Sequence, residues 1–185
     1  DRHQLSSCRA VLMNEAEDIA WIKQCLDGDR RAFEPLVTKY EKVIYNAAFR
    51  IVNNTQDAED ITQTCFIKAY EHLRSFDPAH KFFSWIYRIA LNEALNAVKR
   101  RKDHEPVHDN LRSQEKSPED LYHDQELQRN VERCLMSLKL DHRIVIILSH
   151  FQHLSYSEIG FVLDLPEKTV KSRLFTARQT LKDII

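Results

Sequence analysis

Phe33, Leu36, Val37, Tyr40, Ile44, Ala47, Ala48 and Ile51 recur at the i, i+3, i+4, i+7 spacing that lines one face of an α-helix. A stripe this long admits a helix and excludes a strand, whose apolar face repeats every second residue. Shorter stripes flank it. Ile19, Ile22 and Leu26 precede it, and Ala58, Ile61, Cys65, Ala69 and Leu73 follow the polar break Asn53-Asn54-Thr55. Pro78 disfavours helix at Asp77, so the third segment stops near Ser75-Phe76-Asp77. A fourth runs from Phe82 to Lys102, with Ile86, Ile89, Ala90, Ala94 and Ala97 facing inward. The chain has only two glycines, Gly28 and Gly160, too few for a β-rich fold with many tight turns.

Residues 103–117 lose this periodicity. Between 103 and 120 six acids (Asp103, Glu105, Asp109, Glu115, Glu119, Asp120) stand against two bases, Arg112 and Lys116. Helix restarts at Ser117-Pro118, Ser as N-cap and Pro at the first helical position. Leu127, Val131, Leu135 and Leu138 follow, then Ile144, Ile147, Leu148 and Phe151 after Asp141. The expected fold is all-α: two small helical domains, 17–102 and 118–185, joined by a flexible acidic linker at 103–117. Residues 1–16 read as an N-terminal extension, with Met13-Asn14-Glu15 resembling a natural start. Residues 1–12 are then either an upstream extension or a non-native remnant.

Several function classes drop out. No apolar run approaches the ~18–20 residues that span a bilayer, and no signal-peptide apolar region is present, so a cytoplasmic location is expected. Cys8, Cys25, Cys65 and Cys134 show no CxxC spacing, which speaks against zinc and disulfides. Cys25 and Cys65 fall on apolar faces as small buried side chains. His104 and His108 share a helix face but lack a third ligand. Neither metal nor cofactor is expected.

Chemistry concentrates in two basic helices. Ser155-Tyr156-Ser157-Glu158 has capping-box spacing and opens a helix, followed by the turn Asp164-Leu165-Pro166 and the segment EKTVKSRLFTARQTLK. That segment, 167–182, carries five bases and one acid. Gly160 sits where two steeply crossing helices need a small residue, and Asp164 stands where the turn needs positive φ, which Asp tolerates. Ile159, Leu163, Leu165, Val170 and Leu174 supply the apolar contacts. Together these features form a helix-turn-helix. Lys168, Lys171, Ser172, Phe175 and Arg178 are available to its outer face, where bases meet phosphates and side chains near the helix start reach base edges. The plain alternative is a solvated basic helix in a bundle. The second stretch, HKFFSWIYRIALNEALNAVKRRK (80–102), holds six bases and one acid, with Phe82, Phe83, Trp85 and Tyr87 crowding its start. Bases along a helix track a phosphate backbone, and aromatics beside them stack on unpaired bases. Phe82 and Trp85 serve equally well as core; Tyr87, Arg88 and Asn92 are the better strand contacts.

DAEDITQTCFIKAYEHL (57–73), SFDPAHKFFSWIYRIALNEALN (75–96) and LSYSEIGFVLDLPEKTVKSRLFTAR (154–178) resemble regions 2.2, 2.3 to 2.4 and 4.2 of bacterial RNA polymerase sigma factors of the extracytoplasmic-function type (ECF, group 4, sigma-70 family). The resemblance implies that Asp57, Glu59, Asp60, Gln63 and Thr64 dock on the β′ clamp helices of core polymerase. It implies that Ser75, Phe76, Lys81, Trp85, Tyr87, Arg88 and Asn92, with Lys99 and Arg100 beyond them, capture the melted strand of the minus-ten element. Lys168, Thr169, Lys171, Ser172, Arg173, Phe175 and Arg178 would then read the minus-thirty-five element. The implied partners are core RNA polymerase (β′ clamp helices and β flap), promoter DNA and a cognate, membrane-associated anti-sigma factor, with no membrane insertion by this chain. The acidic linker resembles the segment that threads the polymerase cleft, and catalysis would belong to the polymerase, not to this protein. Thr176 stands where Arg is usual, Glu167-Lys168 replaces a small-residue pair, and Asp164 replaces a turn Gly. Two other classes compete: a stand-alone helix-turn-helix regulator of duplex operators, and a helical adaptor without nucleic acid. The aromatic-basic helix at 80–102 counts against both.

Overall fold

The computed structural model describes residues 15–104 and 122–184, and every regular element among them is helical. The N-terminal extension before Glu15, the linker beyond His104 and the helix start at Ser117-Pro118 lie outside the described residues. Asp103 and His104, expected in the linker, instead complete a helix that runs Phe82–His104.

The first unit contains α1 (Glu15–Leu26), a 3-10 turn (Arg30–Phe33), α2 (Glu34–Val52), α3 (Thr55–Glu71), a second 3-10 turn (Leu73–Ser75) and α4 (Phe82–His104). The stripe on α2 is the heart of its core: Leu36, Tyr40, Ile44, Ala47, Ala48 and Ile51 are all buried. Pro35, in the first turn, sacrifices no internal hydrogen bond there. Two successive asparagines then divide the labour of the break. Asn53 ends α2 in the left-handed conformation (φ 50°), its N–H returning to the Phe49 carbonyl. Asn54 is extended, and its side-chain oxygen accepts from the Asp57 N–H to start α3. α1 is tied down by a buried carboxylate. Asp18 receives Lys39 Nζ at 2.6 Å and the Tyr40 hydroxyl at 2.5 Å, so its burial is compensated. Cys65 is fully buried, its Sγ donating to the Ile86 carbonyl at 3.4 Å, and burial pushes its thiol up to about 12. Cys25, expected buried, is only half-covered.

The second unit contains α5 (Tyr122–Ser137), α6 (Leu140–Ile146) extended by a π-helical turn (Ile147–Phe151), α7 (Tyr156–Leu163) and α8 (Glu167–Ile184). The capping box is formed in both directions: the Glu158 N–H donates to Ser155 Oγ, and the Ser155 N–H donates to Glu158 Oε2 at 2.7 Å. Asp164 takes the left-handed turn position at φ 55°. A Cβ on Gly160 would stand 2.7 Å from the Leu165 carbonyl oxygen, a backbone atom with no rotamer to yield. Ile159, Val162, Val170, Leu174 and Ala177 close the core between α7, α8 and α6.

Arg143 ties this unit together and reaches the other. Its guanidinium donates to the carbonyls of Leu135, Met136 and Leu138 at the end of α5, and to Ile51 at the end of α2 at 3.0 Å. A helix end leaves such carbonyls without internal partners, and a planar fork of donors suits several at once. Desolvation lowers the Arg143 pKa, the cost of holding this charge half-buried.

Two outcomes follow. Arg143→Met leaves partly buried carbonyls unanswered and should lower stability by about 2–3 kcal/mol in thermal unfolding followed by circular dichroism. Arg143→Lys, with one compact donor group, should recover only part of that loss. Gly160→Ala should cost about 1–3 kcal/mol by overpacking against the turn; an unchanged melting temperature would show that the turn moves aside.

Candidate nucleic-acid interface

Trp85, Arg88, Asn92 and Lys99 share one face of α4, because their spacings of three, four and seven residues keep them within one helical stripe, and Lys81 stands just before the helix, its carbonyl accepting from the Trp85 N–H at 3.2 Å. The opposite face is the buried one, with Ile86, Ala90 and Ala94. With Lys81 at its head, the stripe presents three cations, one aromatic ring and one amide. Asn92 and Lys99 are exposed along it; Trp85 and Arg88 are half-covered.

Other expected members of this group lie elsewhere. Phe76 and Tyr87 are core residues, 8% and 1% exposed. Phe76 packs edge-on against Phe82 and Trp85, while Phe83 lies between Tyr40 and Tyr87. The aromatic crowding at the start of α4 is therefore mostly the lid of the core over Tyr40, with Trp85 at its edge. The Tyr87 hydroxyl has no hydrogen-bond partner among the described residues, and burial raises its pKa. Ser75 spends its hydroxyl on the His72 carbonyl. Arg100 lies off the stripe, where it lines a shallow depression together with Asp57, Asp60, Ile61, Thr64, Glu93 and Ala97.

That depression runs along α3. Asp57 is paired with Arg101, whose other nitrogen donates to the Val52 carbonyl at 3.0 Å. Glu59, Asp60 and Gln63 are exposed. On the same exposed side stand two apolar residues that the sequence reading passed over, Ile67 and Tyr70, 53% and 40% exposed. The signal was present: both fall off the buried stripe Ile61, Cys65, Ala69.

On α8, Lys168, Lys171, Ser172, Phe175 and Arg178 form one outward face, with Phe175 65% exposed. Lys171 pairs with Glu167 at 3.0 Å and lies over the Tyr156 ring. Arg178 Nε donates to His150 Nε2 at 3.3 Å. Burial, then the charges of Arg178 and His153, lower the His150 pKa and favour the neutral acceptor ring. Arg173, expected among the reading residues, turns inward and pairs with Asp141 at 3.4 Å. Thr169 is half-covered beside it, and Thr176 returns its hydroxyl to the Ser172 carbonyl.

The two surfaces also meet: α7 packs across the N-terminal half of α4. Lys81 bridges Glu158 and Glu15, and Arg88 reaches the Phe161 carbonyl. The Glu158 hydrogen bonds raise the Lys81 pKa. Burial alone would raise that of Glu158, but Ser155 and Lys81 hold it below the usual carboxylate range. The interface is thus a charge-matched seam. No helix among the described residues is long and apolar enough to cross a membrane.

Residues 36–104 match the family model for Sigma-70 region 2, and residues 128–181 match that for Sigma-70, region 4. The ECF RNA polymerase sigma factor SigW of Bacillus subtilis (strain 168) is 34% identical over 173 residues, covering 87% of this chain and 92% of that protein. The ECF RNA polymerase sigma-E factor of Escherichia coli (strain K12) is 34% identical over 182 residues, covering 92% and 95%. Among solved structures, CnrH in complex with the cytosolic domain of CnrY superposes with a TM-score of 0.71 at 26% identity, over 91% of this chain and 96% of that one. The sigma factor RpoE of Bartonella quintana, solved with the anti-sigma factor NepR, shares the fold at a TM-score of 0.65 and 22% identity, over 82% and 94%. With both regions matched in order and relatives a third identical along nearly their whole length, the chain belongs to the ECF sigma factors of the sigma-70 family.

Proposed function

We propose that this protein is an alternative sigma factor of group 4, which binds core RNA polymerase and directs promoter recognition and melting. The observation that carries this is the pairing of two different basic surfaces in one chain. The outward face of α8 suits a duplex groove, and the cationic stripe on α4, edged by Trp85, suits an unpaired strand. The unit at 17–102 would carry polymerase docking and minus-ten contacts, and the unit at 118–185 the minus-thirty-five contacts. In this reading Asp60 and Gln63 dock on the β′ clamp helices, with Ile67 and Tyr70 extending that surface as apolar anchors. The protein itself supplies no catalysis. CnrH was solved with the cytosolic domain of a second protein, which supports a membrane-associated anti-sigma partner in addition to polymerase and promoter.

The duplex contacts divide by chemistry. Lys171 and Ser172, one turn into α8, reach base edges, and the exposed Phe175 ring suits the methyl group of a thymine. Lys168 and Arg178 flank them as phosphate contacts. Arg173 holds α8 against α6 instead of reading bases. A stand-alone regulator of duplex operators would leave the α4 stripe without a role.

The decisive experiment is run-off transcription on genomic fragments by core polymerase with and without this protein; no added transcripts would overturn the proposal. Asp60→Ala with Gln63→Ala should weaken binding to core polymerase about tenfold, the size of one moderate interface truncation, without changing the melting temperature. Wild-type affinity in the double variant would move the docking surface elsewhere. On α8, Arg178→Ala should weaken all promoter sequences alike and reduce the salt slope by about one unit, whereas Lys171→Ala should change sequence preference at a cost of about 1–3 kcal/mol. A promoter-library selection separates the two. A uniform loss for Lys171→Ala would mean that another residue reads the bases.

A further inference from the structure

On the outward face of α8, Lys171 is held by the carboxylate of Glu167, but Arg178 is held by a histidine. Its Nε donates to His150 Nε2 at 3.3 Å, and it has no carboxylate partner among the described residues. His150 stands in the π-helical turn Ile147–Phe151. There the Gln152 N–H reaches back to the Ile147 carbonyl at 3.1 Å, one residue further than an α-helical bond spans. The extra residue swings the side chains that follow by about 100° from where a continued α-helix would aim them. His153, at φ 53°, then ends the turn in the left-handed conformation. Both histidines are exposed, and Lys182 lies one turn beyond Arg178 on the same face of α8. A neutral imidazole accepts a single hydrogen bond and brings no negative charge. It therefore orients Arg178 without competing against a phosphate, as Glu167 does at Lys171.

We propose that His150 is a duplex-contacting residue, which with Arg178 grips one backbone phosphate and takes up a proton at Nε2 as that phosphate arrives. This rests on the role proposed above for α8. In the free chain Nε2 is the acceptor for Arg178. A phosphate oxygen replaces it in that bond, and Nε2, released, binds a proton from solvent and donates to the same phosphate. The electrostatics around the ring favour this order of events. Its own partial covering, then Arg178 from α8 and His153 from the following loop, lower the His150 pKa. Arg50, from α2, lies over the adjacent Phe151 ring at 4.4 Å. The carboxylates of the packed helices are engaged elsewhere: Glu158 with Lys81, Asp164 towards Arg88, Asp141 with Arg173 and Glu167 with Lys171. Asp183, five residues past Arg178, stands about 140° round α8 from it. A phosphate thus brings negative charge to a ring otherwise surrounded by positive charge, and raises its pKa. The sign follows. Duplex affinity rises as pH falls through the bound-state value, and levels off below the lowered value of the free chain.

The test uses holoenzyme assembled from core polymerase and the full chain, with a fluorescent duplex cut from a genomic fragment that yields run-off transcripts. Affinity is measured from about pH 8 down to about pH 6, the range in which an imidazole titrates. Over it the wild type should tighten about fivefold relative to His150→Gln, whose amide accepts from Arg178 and donates to a phosphate without titrating. His150→Arg, cationic at every pH, should lose the slope and bind at about pH 8 as tightly as the wild type does at about pH 6. Arg178→Ala should weaken binding at every pH and flatten the slope, since the phosphate loses its anchor and the ring loses the cation that keeps it neutral. Lys171→Ala, outside the pair, should weaken binding and keep the slope. A full wild-type slope in His150→Gln overturns the proposal. So does a loss in His150→Gln that is equal at every pH, which would make the ring a positioning residue for Arg178 alone. Either result, with transcription intact, leaves the proposed function standing. If no genomic fragment is transcribed, that function falls and the phosphate grip falls with it.

Discussion

Helix α2 ends on the buried residues Ile51 and Val52, whose carbonyls, at a helix end, have no partner within the helix. Two guanidinium groups answer them. Arg101, from the end of α4, donates to Val52, and Arg143, from α6, donates to Ile51. Both arginines are doubly committed. Arg101 also neutralises Asp57 at the edge of the α3 surface, and Arg143 also caps α5. The end of one helix thereby fixes the register of α4 against α2, the docking of α6 on the first unit, and the orientation of an acidic residue on the proposed polymerase face. Unanswered buried carbonyls are costly. The arrangement of both units consequently hangs on satisfying a handful of backbone acceptors as much as on apolar burial.

The local parts of this architecture were readable from sequence because their causes are local. The stripe from Phe33 to Ile51, the Asn53-Asn54 break, the capping box at Ser155 and the pairing of Gly160 with Asp164 each depend on residues within a few positions of one another. What was not readable depends on contacts distant in sequence. Tyr87 and Phe76 look like strand contacts until Phe83, itself stacked on the distant Tyr40, and Phe82 are seen to pack against them. Arg173 reads as one more base on a basic helix, and only the placement of Asp141 turns it into a tether. Arg143 is an unremarked cation in the sequence, since Ile51 lies 92 positions away and the other three acceptors converge on it only once α5 has ended beside α6.

The near-neutral net charge of −1 takes on meaning in the same way. A protein proposed to grip nucleic acid at two places need not be basic overall if its acids are placed to hold its bases. Glu167 pairs with Lys171, Glu158 with Lys81, Glu93 with Lys68 and Asp57 with Arg101. Two of these acids, Glu167 and Glu158, neutralise cations assigned here to DNA. Each such cation must give up its carboxylate partner on binding, which lowers the net gain while leaving discrimination intact. Lys171 in particular is held by Glu167 and Tyr156 in the orientation from which it would enter a groove.

Asp164 shows how a single position can serve two levels of organisation. As a backbone element it must accept a left-handed conformation so that Gly160 can pass under the Leu165 carbonyl, a demand that glycine, asparagine or aspartate meets. As a side chain it stands opposite Arg88, on the surface proposed for the melted strand. Glycine would satisfy the first demand and forfeit the second. Aspartate satisfies both, at the small strain of a non-glycine residue at positive φ. Where a turn tolerates several residues equally, the one present carries information about something other than the turn. In this chain that information points across the seam, from the turn of the second unit to Arg88 of the first.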